Sequence, residues 1–143
     1  MGLFDFFNID KKENREIITN SLGVFQFLSI NGLAHCQGKV RSKTNNGIEI
    51  LFPIKSDGVS PYQIEYFERI ENSWISIWNQ ISTNKKSIKL TDYSVVRMLI
   101  PDKENEHYDI DAEIVLQKDG NIISLIMKDL NIEEIMEVEN ICN

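Results

Sequence analysis

Three carboxylates lie two residues apart in the C-terminal half of the chain: Asp109, Asp111 and Glu113. In a strand this spacing places all three on one face, because successive side chains alternate between faces. Three carboxylates in a row could hold a hard cation such as Ca²⁺ or Mg²⁺. The segment lacks the central glycine of a calcium loop, however, and its alternation with Ile110 and Ile114 is typical of a strand with one solvated face. The sequence therefore predicts a solvent-facing acidic row and no metal site.

These carboxylates are also candidates for binding a protein partner, together with glutamates of the preceding loop. The candidate partner-binding residues are Asp109, Asp111, Glu113, Glu104 and Glu106. A negative patch of this kind attracts a basic partner and speeds the encounter with it. Solubility alone would explain the same charges, and the sequence leaves both interpretations open.

The distribution of charge favours a basic protein over a nucleic acid as the partner. The 143 residues include 22 acids and 15 bases, which gives a net charge of −7. Residues 1–58 carry a net +1, whereas residues 59–143 carry a net −8. An acidic surface repels phosphate backbones, so nucleic-acid binding is not expected.

The histidines and a row of bases are the other side chains that could do chemistry. His35 and His107 are predicted at strand edges, and each is interpreted as a surface residue rather than a catalytic one. Lys39, Arg41 and Lys43 would share a strand face and could bind an acidic ligand, pair with the acidic row, or keep an edge soluble. The chain has no P-loop, dinucleotide-binding glycine motif, nucleophile elbow or paired zinc ligands. No catalytic residue and no cofactor is predicted.

Cysteine usage and hydropathy indicate a soluble protein of a reducing compartment. Cys36 and Cys142 form no CxxC pair, so we interpret Cys36 as a small core residue and Cys142 as part of a loose tail. No apolar run approaches the roughly 20 residues needed to span a bilayer. The N-terminus lacks the basic region of a signal peptide. We therefore expect a cytoplasmic location and no membrane association.

The length and patterning predict a single α+β domain over residues 1–143. Residues 1–16 are expected to hold a short apolar segment that docks on the domain, followed by a polar connector. A mainly antiparallel sheet of six or seven strands is then expected, because hairpin signals such as Asn31-Gly32 and Asp119-Gly120 separate the apolar runs. The strands are predicted at 17–18, 24–30, 33–43, 48–54, 93–100, 108–117 and 121–128.

A long amphipathic helix is predicted over 61–82, between two β-meanders. Ser60 and Gln63 form a capping-box pair, and Pro61 suits the first turn. Apolar residues then recur at three- and four-residue steps, interrupted only by Glu71. The residues of this stripe, all expected to face the sheet, are Ile64, Phe67, Ile70, Trp74, Ile77, Trp78 and Ile81.

A short C-terminal helix is predicted from Asn131, which can cap a helix with Glu134 at the capping-box position. Together these elements predict a two-layer α+β fold, with the long helix on one face of the sheet.

Several turns and core residues resemble a family of small bacterial proteins known only as domains of unknown function, of the 2262-like type. The similar features are the Met-Gly-Leu-Phe-Asp-Phe-Phe start, the segment 22–25, Ser60-Pro61 before an aromatic-rich helix, and the 118–120 hairpin. Ala34 and His35 depart from the pattern, since a tryptophan is expected in such a meander. The resemblance implies no catalytic residues. Small acidic proteins of this kind often lie beside toxin genes, which by association suggests an immunity-type binder.

Two functional hypotheses follow from the sequence. The first is a non-enzymatic protein-binding module of immunity type that uses an acidic surface to hold a basic partner. The second is a hydrolase-like enzyme whose site is assembled from residues distant in the sequence. A toxin gene next to this one would favour the first, and a metabolic operon would favour the second.

Overall fold

The computed structural model describes residues 17–30, 32–42, 47–55, 58–84, 92–103, 105 and 107–138. Ten helices and strands occur in these residues. In chain order they are β1 (Ile17–Asn20), β2 (Gly23–Ile30), β3 (Leu33–Val40), β4 (Ile48–Pro53), α1 (Pro61–Asn72), α2 (Trp74–Asn84), β5 (Ser94–Leu99), β6 (Ala112–Lys118), β7 (Asn121–Lys128) and β8 (Asn131–Val138). The apolar segment and connector predicted at 1–16, and Lys43, Glu104, Glu106 and Cys142, lie outside the described residues.

The eight strands form one sheet in the order in which they occur in the chain. Neighbouring strands are antiparallel except β4 and β5, which run parallel with Glu49 opposite Arg97 and Leu51 opposite Leu99. A parallel pair needs a crossover connection, and the two helices supply it. The α+β class and the mainly antiparallel sheet are therefore confirmed.

The helical segment begins as the sequence predicts but is not one long helix. Ser60 Oγ accepts the Gln63 amide and Gln63 Oε1 accepts the Ser60 amide, which completes the capping box. The helix stops after Asn72, where Ser73 leaves helical geometry at φ −104° and ψ 12°. A second helix then begins at Trp74. The apolar spacing continues across this break, since Ile70 and Ile77 are both fully buried, so periodicity alone could not reveal it.

The predicted apolar stripe is only partly interior. Phe67 and Ile81 are buried, whereas Trp74 and Trp78 are half-buried and pack against the core with their ring centroids 5.7 Å apart. Glu71, which interrupts the stripe, is buried and accepts a 2.9 Å hydrogen bond from Ser42 Oγ. The long amphipathic face therefore includes one satisfied polar position.

The predicted C-terminal helix is wrong, because residues 131–138 form strand β8. The loop before it consists of Asp129 and Leu130, with φ +50° and +63°, and this pair of left-handed residues closes a two-residue hairpin. Hairpins of this type usually use glycine or asparagine, so the turn carries no recognisable signal. Pairing with β7 places Ile132 and Ile135 against the core. That burial outweighs the local capping-box pattern.

The main core lies between the helices and one face of the sheet. It contains Phe25, Phe52, Ile70, Met98, Ile114 and Leu125 among its fully buried side chains. Cys36 is buried there as predicted, and burial raises the pKa of its thiol to about 11. Gly38 lies under the Phe25 ring, where an added Cβ would come within 2.6 Å of the ring carbon Cδ2.

The opposite face of the sheet holds a smaller core of Leu51, Leu99 and Val115 beneath Tyr108. Tyr108 belongs to the connection between β5 and β6. His35 lies here with no exposed surface, so its prediction as a surface residue is wrong. The connection that covers it could not be inferred from the alternation of residues along β3.

Both ring nitrogens of His35 make hydrogen bonds. Nδ1 is 2.8 Å from the Leu33 carbonyl oxygen, and Nε2 is 3.1 Å from the Tyr108 hydroxyl. A carbonyl only accepts, so Nδ1 carries a proton, and in the neutral ring Nε2 accepts from Tyr108.

Among the described residues, no helix is long and apolar enough to cross a lipid bilayer.

Candidate functional site

The ends of the parallel strands are fixed by one buried side chain. Gln63 Nε2 donates to the Pro53 carbonyl at 2.6 Å and to the Ile100 carbonyl at 2.9 Å. Pro53 ends β4 and Ile100 follows β5, so the first turn of α1 is tied to both strands. This anchor sets where the connection after β5 leaves the sheet.

An open cleft of about 380 Å³ lies where three segments meet. Helix α1 supplies its aromatic wall, the connection from β5 to β6 supplies three aspartates, and the β7–β8 turn supplies a fourth. We call it the acidic cleft, and its main lining residues are Tyr62, Tyr66, Arg69, Asp102, Asp109, Asp111, Lys128 and Asp129. Lys103 also lines it, so four carboxylates face three cationic side chains.

Two of the four aspartates hold the cleft together. Asp102 Oδ1 accepts hydrogen bonds of 2.8 Å from Ser60 Oγ and from the Lys103 amide, which joins the connection to the start of α1. Asp111 Oδ2 accepts the Asp129 amide at 2.8 Å and so supports the left-handed hairpin turn. These two carboxylates have structural roles.

The other two aspartates face solvent. The side chain of Asp109 is fully exposed, and its Oδ1 lies 3.6 Å from Lys128 Nζ. Exposed ion pairs of this kind contribute little and are weakened by salt. Asp129 is also exposed, at the tip of the hairpin. Both carboxylates are therefore accessible to a partner.

Two tyrosines form the wall of the cleft, with their ring centroids 6.1 Å apart. Tyr66 is buried, its hydroxyl oxygen accepts the Leu130 amide at 3.2 Å, and burial raises its pKa to about 12. Tyr62 is half-buried, and its pKa is raised by burial first and then by the charge of Asp111. Both phenols stay protonated at neutral pH. The cleft thus offers an aromatic face and hydroxyl groups beside exposed carboxylates.

The predicted acidic row does not exist as a row. Strand β6 begins at Ala112, so Asp109 and Asp111 belong to the connection before it, and only Glu113 is in the strand. Glu113 is almost fully buried and accepts a short hydrogen bond from Ser124 Oγ on the sheet face away from the helices. A one-sided strand face required the strand to begin near Tyr108. Strand β6 begins at Ala112, and the Asp111 amide, which donates to the Met127 carbonyl at 3.0 Å, adds one backbone hydrogen bond before it.

Asp109 and Asp111 are brought together in the cleft, whereas Glu113 is not. Asp129 and Tyr62 are cleft residues that the sequence interpretation missed. The helix predicted from Asn131 leaves Asp129 in a connection, and only recognition of the two-residue hairpin turn would place it beside Asp111.

The predicted basic row is divided by the end of β3. Lys39 is exposed and lies opposite Glu49 of β4, which also makes a 3.3 Å ion pair with Arg97. Arg41 is exposed beyond the end of the strand. Lys39 therefore lies near a carboxylate of β4, Arg41 lines a pocket with Glu68 and Glu71 of α1, and neither base lines the acidic cleft.

A larger cleft, of about 540 Å³, lies at another place beside Tyr108. Its wall includes Pro53, Ile54 and His107, and Lys55 reaches across to donate to the Lys103 carbonyl at 2.8 Å. His107 is exposed, so its prediction as a surface residue agrees with the structure. Within the described ranges, no group of three or more histidine, cysteine or acidic side chains is placed to hold a metal ion.

Comparison with protein-family models, with curated proteins and with solved structures finds no match. The resemblance to the 2262-like domains therefore stays a prediction, and function has to be argued from the geometry of the clefts and the exposed charges.

Proposed function

We propose that this chain is a non-enzymatic module that binds a basic protein partner at the acidic cleft. The observation that carries the proposal is the position of Asp109 and Asp129, two exposed carboxylates beside the half-buried ring of Tyr62. Arginine and lysine side chains bind carboxylates and also stack on aromatic faces. An aromatic wall next to exposed carboxylates suits an arginine or lysine of a partner.

A basic partner that binds Asp109 has to displace the cation that already lies beside it, Lys128. The Nζ of Lys128 lies 3.6 Å from the Asp109 carboxylate, and the Lys128 side chain is partly exposed. A partner's cation can replace it at small cost, because Asp109 is fully hydrated and exposed carboxylates gain little from such a pair. The net −8 of residues 59–143 then steers the partner towards this half of the molecule.

An immunity-type role, in which the basic partner is a toxin, is the narrower form of this proposal. Its support is the family resemblance together with the acidic charge of the chain. A binder of this kind needs no catalytic group of its own.

The enzyme alternative needs an accessible acid or base in a cleft. His35 cannot serve, because it is fully buried and both of its ring nitrogens are hydrogen-bonded. The larger cleft presents Lys55, His107 and Tyr108, but the Lys55 ammonium is bonded to a backbone carbonyl and the Tyr108 hydroxyl to His35. His107 is exposed there, but none of the described residues that line this cleft is a carboxylate that could pair with it, which favours the binding module.

The proposal is tested by partner capture followed by association kinetics. The wild-type protein is first used to capture a partner from host lysate. The association rate of that partner is then measured with the wild type and with an Asp109→Lys/Asp129→Lys variant. The matched control is Glu68→Lys/Asp92→Lys, which changes the net charge by the same amount as the cleft variant. Like that variant, it removes one exposed aspartate–lysine pair, here Asp92 with Lys118. We expect the cleft variant to associate at least about tenfold more slowly than the control, since local charge acts mainly on encounter.

A further inference from the structure

Strand β8, which follows the hairpin turn that carries Asp129, is a long terminal strand of the sheet. It is eight residues long and, among the described strands, pairs only with β7. The strand at the other end of the sheet, β1, has only four residues. In a terminal strand, alternate backbone groups point away from the sheet, where another strand can pair with them.

The beginning of this edge is covered and the rest is exposed. Gln80 of α2 accepts the Ile132 amide at 2.8 Å, and the register with β7 shifts between Ile126 and Met127. Such side-chain caps and bulges limit pairing at edges. Further along, the side chains of Glu134 and Met136 are exposed.

The charge of β8 selects what can pair with it. Glu133, Glu134 and Glu137 are exposed, and the strand has no basic residue. If two copies of β8 paired about a two-fold axis, glutamates would face glutamates, which is destabilising. Lysine or arginine on an incoming strand would instead complement these carboxylates.

We propose that β8 binds an extended segment of a basic protein by strand addition. The side chains of β8 define the complementary pattern. Ile135 and Glu137 share the helix side of β8, and Glu134 and Met136 share the other side, so each side offers one apolar and one acidic position. An incoming strand would therefore carry both apolar and basic residues. The inference rests on the proposed function for the nature of the partner, because Asp129 of the acidic cleft lies only two residues before β8. One basic partner could therefore contact both surfaces.

A synthetic peptide tests strand addition without the natural partner. The probe is a capped eight-residue peptide that alternates lysine with valine or threonine. The control peptide has the same sequence with its backbone amides N-methylated, so that it keeps the charge but cannot donate hydrogen bonds. Dissociation constants are measured at low ionic strength, and the backbone amide resonances of β8 are followed by NMR.

Strand addition predicts that the unmodified peptide binds at least roughly tenfold more tightly than the methylated one, since several backbone hydrogen bonds are lost. It also predicts shifts of the β8 amides and loss of binding in Glu133→Lys/Glu134→Lys but not in Glu68→Lys/Asp92→Lys. Equal binding of the two peptides would overturn strand addition and leave the acidic-surface proposal standing. Binding that is abolished only by Asp109→Lys/Asp129→Lys, or no binding of either peptide, would also overturn it.

Discussion

Gln63, at the ends of the parallel strands β4 and β5, is fully buried and hydrogen-bonded to Pro53 and Ile100. Asp129, at the β8 end, is exposed at a hairpin tip. The same contrast separates His35 and Ser124, both buried and hydrogen-bonded, from the exposed Glu134. Polar side chains in the interior fix the ends of strands and the connections that cover them. The exposed carboxylates at the β8 end, such as Asp129 and Glu134, add little to the fold and leave charge where a partner can reach it.

The largest loss of stability is expected when the interior anchor is removed. Gln63→Ala deletes the hydrogen bonds to the Pro53 and Ile100 carbonyls and one half of the capping box. Buried groups left unsatisfied cost about 1–3 kcal/mol each, so we expect a loss of roughly 3 kcal/mol in the free energy of unfolding.

Chemical denaturation measures this loss, with Ser60→Ala as the comparison. Ser60→Ala removes the other half of the cap together with the hydrogen bond to Asp102, and should cost about 1–2 kcal/mol. If Gln63→Ala were no more destabilising than Ser60→Ala, the parallel strand ends would not depend on this side chain.

The next largest effect concerns packing in the main core. Gly38→Ala places a methyl group 2.6 Å from Phe25 Cδ2, against a fully buried ring. Overpacking of this kind typically costs about 1–3 kcal/mol. The same substitution in a Phe25→Leu background should cost less, because the smaller side chain leaves room. An equal cost in both backgrounds, measured by urea unfolding, would show that the ring is not the obstacle.

Alkaline pH should weaken the interior before it affects the β8 end. Burial raises the pKa of Cys36 from 9.0 to about 11 and that of Tyr66 from 10.0 to about 12. A raised pKa in the folded state means that stability is fully present below the unfolded value and is lost as the pH rises towards the folded one.

The free energy of unfolding should therefore fall from pH 9 to 11 through Cys36 and from pH 10 to 12 through Tyr66. Cys36→Ala should remove the first decline, and Tyr66→Phe should reduce the second. The free energy of unfolding is measured by chemical denaturation at several pH values. An equal decline for Cys36→Ala and wild type between pH 9 and 11 would contradict the burial argument.

The smallest effect on stability is expected at β8. Glu133→Lys/Glu134→Lys changes two exposed side chains of a terminal strand, so the free energy of unfolding should change by no more than about 0.5 kcal/mol. Thermal and chemical unfolding would measure it. A loss comparable to that of Gln63→Ala would mean that these carboxylates serve the fold, and the contrast between the two regions would fail.

Much of the fold follows from local signals in the sequence. The strands predicted at 24–30, 48–54 and 121–128 agree with β2, β4 and β7 to within one residue, because β-branched runs and turn residues mark them. The capping box at Ser60 is equally local. These features depend on neighbours in the chain, which a single sequence contains.

The rest depends on contacts between distant segments. The sequence of β8 carries a capping-box pattern, but the strand is stabilised more by pairing with β7. The turn before it is supported by Asp111, 18 residues from its partner Asp129, and by Tyr66, 64 residues from its partner Leu130. The burial of His35 depends on Tyr108, 73 residues further along the chain. The sequence therefore predicts Asp109 and Asp111 as residues of the site. It does not predict the shape of the acidic cleft, its tyrosines or Asp129.

The most direct test of the central claim is the association rate of the captured basic partner at two ionic strengths, for wild type, Asp109→Lys/Asp129→Lys and Glu68→Lys/Asp92→Lys. The account predicts a fast, strongly salt-sensitive rate for wild type and the control variant. It predicts a slower rate with weak salt dependence for the cleft variant, while all three proteins unfold at similar denaturant concentrations. Equal rates for all three, or the absence of any basic protein retained by wild type at low salt, would contradict it.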